Sequence, residues 1–313
     1  MIWTKKPIGL SYRVGFKQLA RVRVNGIVCQ AHISALSSRH AEAAPIEAMR
    51  ERRVNAAHFP SCPTAGALPV LRWTSGCFRY VIATFPHYIT EIRGSFEDYA
   101  IRTFSSRRRK KFRRLKRRWQ AHCGHDIEIR EYRSESEIET FLPLAEQVSV
   151  LTRIHRHMGR GVEVDNVYGR RIRDAASEGV ARGYLLFCRG EPVAYDYAEL
   201  DSDGVLRVEL VGYAPEYGQW EVGTLLNLGL VERIHGDPRV KALDYCEGEA
   251  QYKARFATRR YDAAEIVFFR PTPRNLAVFG SHLLLTQSYM LTRSLLLKTG
   301  TMDIARRLAT RAS

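Results

Sequence analysis

Three apolar runs in close succession restrict this chain's fold more than any other feature. They occupy 183–188, 191–200 and 205–213, and the dipeptides Arg189-Gly190 and Asp203-Gly204 sit at their connections. Short glycine-containing links of this kind suit β-hairpin turns, whose backbone needs positive φ. The three runs therefore predict an antiparallel meander. A leucine-rich helix at 222–234 follows it, then a strand at 240–245, a short helix at 249–257 and a strand at 263–269. Such an order excludes a Rossmann unit and a (β/α)8 barrel, because both alternate strand with helix throughout.

Upstream, 79–89 reads as a strand. Gly94-Ser95 then opens a helix, with Ser95 as N-cap and Asp98 in the capping-box position. Ile101, Phe104, Phe112, Leu115 and Trp119 are spaced to keep one face of that helix buried as far as Cys123-Gly124. A strand at 126–132 places Ile127 and Ile129 on one side. Ser134 and Glu137 start a further capped helix, bent at Pro143, and another helix covers 164–176 with Val164, Val167, Tyr168, Ile172 and Ala175 on one stripe. From 126 onward the order is β-α-α-β-β-β-α-β-α-β, an α/β chain with a mixed sheet. The first 75 residues are less patterned. They offer a strand at 21–30, a helix at 41–54 despite Pro45, and a breaker cluster at 61–66. After Pro271 and Pro273 a helical region runs from 276 to about 308.

Charge narrows the partners. The 313 residues carry 49 Lys and Arg against 33 Asp and Glu, a formal net charge of +16, which favours an anionic partner. Ten of the twelve residues from Arg107 through Arg118 are basic, and the Phe112, Leu115 and Trp119 stripe makes this run a helix anchored on its other side. It is a docking surface for RNA, an anionic membrane or a nucleotide, or else a solvated face. The six cysteines are scattered without a C-x-x-C pair, which points to reduced core residues. Basic residues interrupt every apolar run in the first 30 positions, so no signal-peptide core is expected and the default compartment is cytoplasmic, peripheral to a membrane at most. His122-Cys123-Gly124-His125 and His155-Arg156-His157 lack companion ligands at a recognisable spacing, so no metal is expected. The tail 276–297 is strongly apolar. It packs on the core or a partner, or lies in a membrane plane with Arg293, Lys298, Arg306 and Arg307 as its basic residues.

The segment from Glu209 to Leu226 (ELVGYAPEYGQWEVGTLL) carries a resemblance. Together with the order of elements it resembles the GNAT acyltransferases, in which a Pro-x-Tyr turn leads from the fourth strand into a glycine-bearing helix. Pro215, Tyr217, Val222, Gly223, Thr224 and the leucine pair match that signature, whereas Gly218 replaces its Gln/Arg and Gln219 and Glu221 replace two glycines. A basic helix (SSRRRKKFRRLKRRW from Ser105) and the segment Glu247 to Phe256 (EGEAQYKARF) shift the resemblance to the CelD/FemAB-like branch, with its reduced acetyl-CoA signature. It covers about 95–269.

This resemblance implies a GNAT-type fold in 95–270, an N-terminal region at 1–94 that is at most a partial first half, and a helical tail at 271–313. It implies N-acyl transfer from acetyl-CoA or another acyl-CoA to an amine of a small molecule or cell-envelope precursor. Aminoacyl transfer from tRNA and non-catalytic binding of RNA or membrane are the alternatives. The donor's pyrophosphate is expected at Val222, Gly223 and Thr224, where a helix N-terminus offers N–H groups, beside Val211 and Tyr213 of the preceding strand. Glu209 is expected as the base and Tyr252 as the acid for the departing thiolate. Alternation leaves open which of Tyr195 and Asp196 points into the acceptor cleft.

Overall fold

The computed structural model describes residues 3–15, 17–38, 44–159 and 161–298. The expected helix beyond 298, with Arg306 and Arg307, lies outside them, as do positions 41–43 of the expected N-terminal helix. The chain divides into two compact units, Pro86–Tyr261 and Met1–Phe85 with Asp262–Ser313. These units cut the sequence elsewhere than at 94/95 and 270/271, because the last strand returns to the sheet of the N-terminal segment.

The Pro86–Tyr261 unit contains the end of β5 (Cys77–Glu91) and strands β6 (Glu128–Tyr132), β7 (Ala181–Cys188), β8 (Glu191–Leu200), β9 (Val205–Tyr213) and β10 (Ala242–Glu247). Their order is β5-β10-β9-β8-β7-β6. Strands β6 to β9 are antiparallel neighbours, whereas β10 runs parallel to β9, so the sheet is mixed. The predicted hairpin turns are present, with Arg189 at φ 52° and Gly190 at φ 85° between β7 and β8. Helices α4 (Glu135–Ser149) and α6 (Val167–Ser177) cover one face through Phe141, Leu142 and Ile172, packed on Leu185 and Tyr197. Helices α3 (Ser106–Cys123) and α7 (Val222–Ile234) cover the other through Leu115, Trp119, Leu226 and Leu230. Each such side chain contributes roughly 1.5–3 kcal/mol on burial.

The helix expected from Ser95 to Cys123 is two helices. Ser95 and Asp98 form the predicted capping box of α2 (Phe96–Thr103), but the chain turns extended at Phe104, and Ser105 caps α3 by accepting from the Arg108 N–H. The break rotates Ile101 off the buried stripe, leaving it 55% exposed while Phe104, Phe112, Leu115 and Trp119 are buried. Val167 likewise leaves its expected stripe, since it stands in the first turn of α6. The short helix α5 (Arg153–Met158), capped by Thr152, had no counterpart in the sequence reading. Cys123 and Cys188 are joined in a disulfide, contrary to the reduced state expected for all six cysteines. The last turn of α3 and the end of β7 bring their Cα atoms to 5.3 Å, a proximity that a separation of 65 residues does not reveal.

In the other unit β1 (Trp3–Val14) pairs antiparallel with β2 (Lys17–Cys29), β2 parallel with β3 (Ala56–Pro63), and β3 antiparallel with β11 (Arg259–Phe269). The four-residue β4 (Leu71–Thr74) pairs with the start of β5. Helices α1 (Ala44–Glu51) and α9 (Pro273–Lys298) also belong here, α9 burying Phe279 while Leu284 and Leu291 face outward. No helix among the described residues is long and apolar enough to cross a membrane.

Candidate functional site

The parallel pairing of β9 with β10 covers only Val205–Arg207 against Ala242–Asp244, and β9 runs on to Tyr213. Beyond Arg207 the strand still pairs with β8, but its backbone ladder to β10 has ended, and only Cys246 Sγ reaches across to the Val208 carbonyl. A cavity of about 560 Å³ opens there, lined by Val211, Gly212 and Tyr213 of β9 and by Glu221, Val222, Gly223 and Thr224 at the start of α7. Thr152, Tyr195, Asp196, Asn227 and Tyr252 are also part of its wall. Tyr252 stands on α8 (Gln251–Phe256).

Local sequence explains the opening. Pro215 starts a 3-10 turn, Pro215–Trp220, which ends in the left-handed backbone of Glu221 at φ 48°. Glu221 accepts from the Thr224 and Leu225 N–H groups through its carbonyl, and its side chain makes no capping bond. Helix geometry then leaves the Val222 and Gly223 N–H groups without an intrahelical acceptor. A Cβ on Gly223 would touch only the Tyr213 ring, at 3.5 Å, so the protein itself tolerates a side chain there. Gly212 is different, because a Cβ would overlap the Tyr195 ring and the Thr152 methyl.

A carboxylate at this helix start opposes an anion, and the structure neutralises it. Glu221 Oε1 lies 2.7 Å from Lys111 Nζ of the basic helix, and Oε2 lies 3.9 Å from Arg255 Nη1 of α8. Further along α3, the Arg118 guanidinium sits over the Trp220 ring at 5.2 Å and His122 stacks on the same ring at 4.2 Å. The basic helix thus lines the turn leading into α7. Arg107, Arg108, Arg113, Arg114 and Arg117 are exposed. Two further histidines of the paired motifs have structural partners: His125 joins the Asp126 carbonyl and the Arg189 N–H, and His155 pairs with Glu163.

Six of the seven residues singled out in the sequence, namely Val211, Tyr213, Val222, Gly223, Thr224 and Tyr252, line this one cavity. Glu209 is not among the lining residues. Its carboxylate pairs with Arg171 of α6 at 3.2 Å, and burial raises its pKa while Arg171 lowers it. Glu209 stands two positions before Val211 but is turned toward α6. Burial pushes the Tyr252 hydroxyl well above the usual phenol range, so it carries its proton throughout physiological pH. The residue that sequence alternation did not resolve is Asp196. It is buried at 5% exposure, lines the cavity, and leaves its Oδ1 without a hydrogen-bond partner, and desolvation raises its pKa to about 7. Tyr195 also reaches the cavity while packing on the opposite face, with its hydroxyl 3.4 Å from Ser149 Oγ.

Residues 106–254 match the family model of the acetyltransferase (GNAT) domain. No curated protein sequence matches the chain. Among solved structures, FemX is similar with a TM-score of 0.50 at 11% identity over 88% of this chain and 90% of that one. L-PGS from Bacillus licheniformis gives 0.46 at 12% identity over 77% and 76%, and a GCN5-related N-acetyltransferase from Kribbella flavida gives 0.38 at 12% over 88% and 92%. Residues 106–254, which surround the cavity, thus form an acetyltransferase (GNAT) domain, and the chain shares the fold of FemX.

Proposed function

We propose that the chain transfers an acyl group from acyl-CoA to an amine, with the donor's pyrophosphate at the start of α7 and its pantetheine arm along the free edge of β9. The observation that carries this reading is the gathering of Val211, Tyr213, Val222, Gly223, Thr224 and Tyr252 on one cavity. A helix N-terminus with two uncommitted N–H groups and no side-chain cap is suited to a pyrophosphate. Lys111 and Arg255 cancel the charge of Glu221, which would otherwise repel it. The ladder to β10 ends at Arg207, and past the Val208 carbonyl, which accepts from Cys246 Sγ, the backbone of β9 can pair with an extended, amide-bearing ligand as a further strand would. Tyr252 then gives its hydroxyl proton to the departing sulfur, a role its elevated pKa suits because the phenol is never lost to ionisation. The cytoplasm, where acyl-CoA is made, is the matching compartment.

The basic helix favours a second donor. Six exposed arginines, Arg107, Arg108, Arg113, Arg114, Arg117 and Arg118, stand on the helix whose Lys111 pairs with the cavity-lining Glu221, and they would suit the phosphates of an aminoacyl-tRNA, the kind of polyanion that a pyrophosphate site alone does not require. One assay tests both donors. Release of free thiol from acetyl-CoA in the presence of primary amines should be measurable and should fall at least a hundredfold in Tyr252→Phe. Thiol release that is absent, or unaffected by Tyr252→Phe, while aminoacyl-tRNA is consumed, would replace the first donor by the second.

A further inference from the structure

We propose that Asp196 and Asn227 form a receptor for the ammonium group of a primary-amine acceptor, and that Asp196 takes the proton whose loss makes the amine nucleophilic. The inference rests on the acyl-transfer reading of the cavity and assigns its acceptor.

Two hydrogen-bond acceptors in this cavity are buried without a donor among the described residues: Asp196 Oδ1 on β8 and Asn227 Oδ1 on α7. Such atoms are costly to leave unsatisfied, and a pair of them lining one cavity calls for a ligand that brings N–H groups. The Asn227 amide is held with its Nδ2 toward the Tyr245 hydroxyl at 3.4 Å, which directs Oδ1 away from that partner. An ammonium group offers three donors and a positive charge, so it satisfies both oxygens and compensates the carboxylate.

Among the described residues, no cation faces Asp196. The titratable groups that face it are the phenols of Tyr184 on β7, Tyr195 on β8, Tyr245 on β10 and Tyr252 on α8, each raised above its ordinary pKa by burial and therefore neutral. Desolvation alone raises Asp196 to about 7, where a carboxylate can take a proton from an ammonium more readily than an exposed one does.

The step balances. One proton passes from R–NH3+ to the Asp196 carboxylate, and the nitrogen lone pair forms a bond to the acyl carbon. The C–S bond breaks with its electron pair on sulfur. Tyr252 gives its hydroxyl proton to the sulfur and receives the second nitrogen proton. The products are an amide and a thiol, and Asp196 returns its proton to solvent. Glu209, tied to Arg171 outside the cavity lining, is not needed.

The test uses n-butylamine, with n-butanol as a neutral probe of the same shape, in calorimetry on the full chain at pH 8. The wild type should bind butylammonium saturably, and Asp196→Asn should weaken it at least tenfold while leaving butanol unchanged. Acetyl-CoA titrated into the same two proteins should bind both alike, which shows that the variant is folded. Failure of acetyl-CoA to bind the wild type would remove the donor reading while the amine result still stood. Should Asp196→Asn not fold, Asn227→Leu reads the same receptor, with a loss of threefold or more in butylammonium affinity expected. Equal butylammonium affinity in wild type and variant, butanol binding as tightly as the amine, or no amine binding by the wild type would each overturn the proposal.

Discussion

A carboxylate buried without a cation weakens the fold wherever it is ionised. The pKa of Asp196 is raised from 3.8 to about 7, so its contribution to stability is fully present below pH 4 and is lost as pH rises toward 7. Above 7 the loss is complete and constant. About three units at about 1.4 kcal/mol each make this roughly 4 kcal/mol. Thermal melts should therefore show Asp196→Asn more stable than wild type at pH 8 and equal to it at pH 4. Melting curves that shift in parallel at both pH values would contradict the assignment. The sequence showed a Tyr-Asp pair in the middle strand but not which member mattered. Period-two alternation separates the faces of a strand without saying where a cavity lies, and here both residues reach it. That Glu209 lies outside the cavity lining escaped the sequence for a related reason. A strand position names a face, whereas the Arg171 that holds its carboxylate comes from a helix far away in the chain.

Among the elements, α3 and α7 are coupled by a few charges. Lys111 is 54% and Glu221 34% exposed, so their ion pair adds little stability, and its consequence is the potential at the start of α7. Changing Lys111 and Arg255 together to Ala should weaken acetyl-CoA binding by about tenfold with little change in melting temperature, and adding Glu221→Gln should restore much of the affinity. Calorimetry on the three proteins checks this, and an unrestored triple variant would show that the cations contact the donor themselves. The exposed cations of α3 also make a separate expectation for polyanions. Replacing Arg113, Arg114, Arg117 and Arg118 with Gln should flatten the dependence of RNA affinity on salt, and slopes alike before and after would mark the run as solvated surface. The meander and α7 were legible because hairpin glycines and a solid leucine run leave little choice. The break at Ser105 was not, since the apolar spacing continues across it and the capping serine leads into a run in which ten of twelve residues are basic.

For the molecule as a whole, the sheet of the Pro86–Tyr261 unit follows the order read from the sequence, while the strands of the N-terminal segment mostly escaped it. β3 and β4 are short and irregular in pattern, and β3 is fixed by pairing with β11, some 200 residues on, a contact that no local signal carries. The Cys123–Cys188 disulfide closes a 65-residue separation, worth about 4 kcal/mol in a chain-entropy account, so reduction or Cys188→Ser should lower the melting temperature of the protein by several degrees. An unchanged melting temperature on reduction would show that packing of Trp119 and its neighbours suffices. What unites these observations is the donor site proposed at the start of α7, and acetyl-CoA binding to wild type and Gly223→Asp tests it most directly. A Cβ at 223 meets only Tyr213, so the variant should keep its melting temperature while its carboxylate occupies the pyrophosphate position. Saturable binding by the wild type that is lost in the folded variant is the expected result. Binding that survives the substitution unchanged would contradict the account.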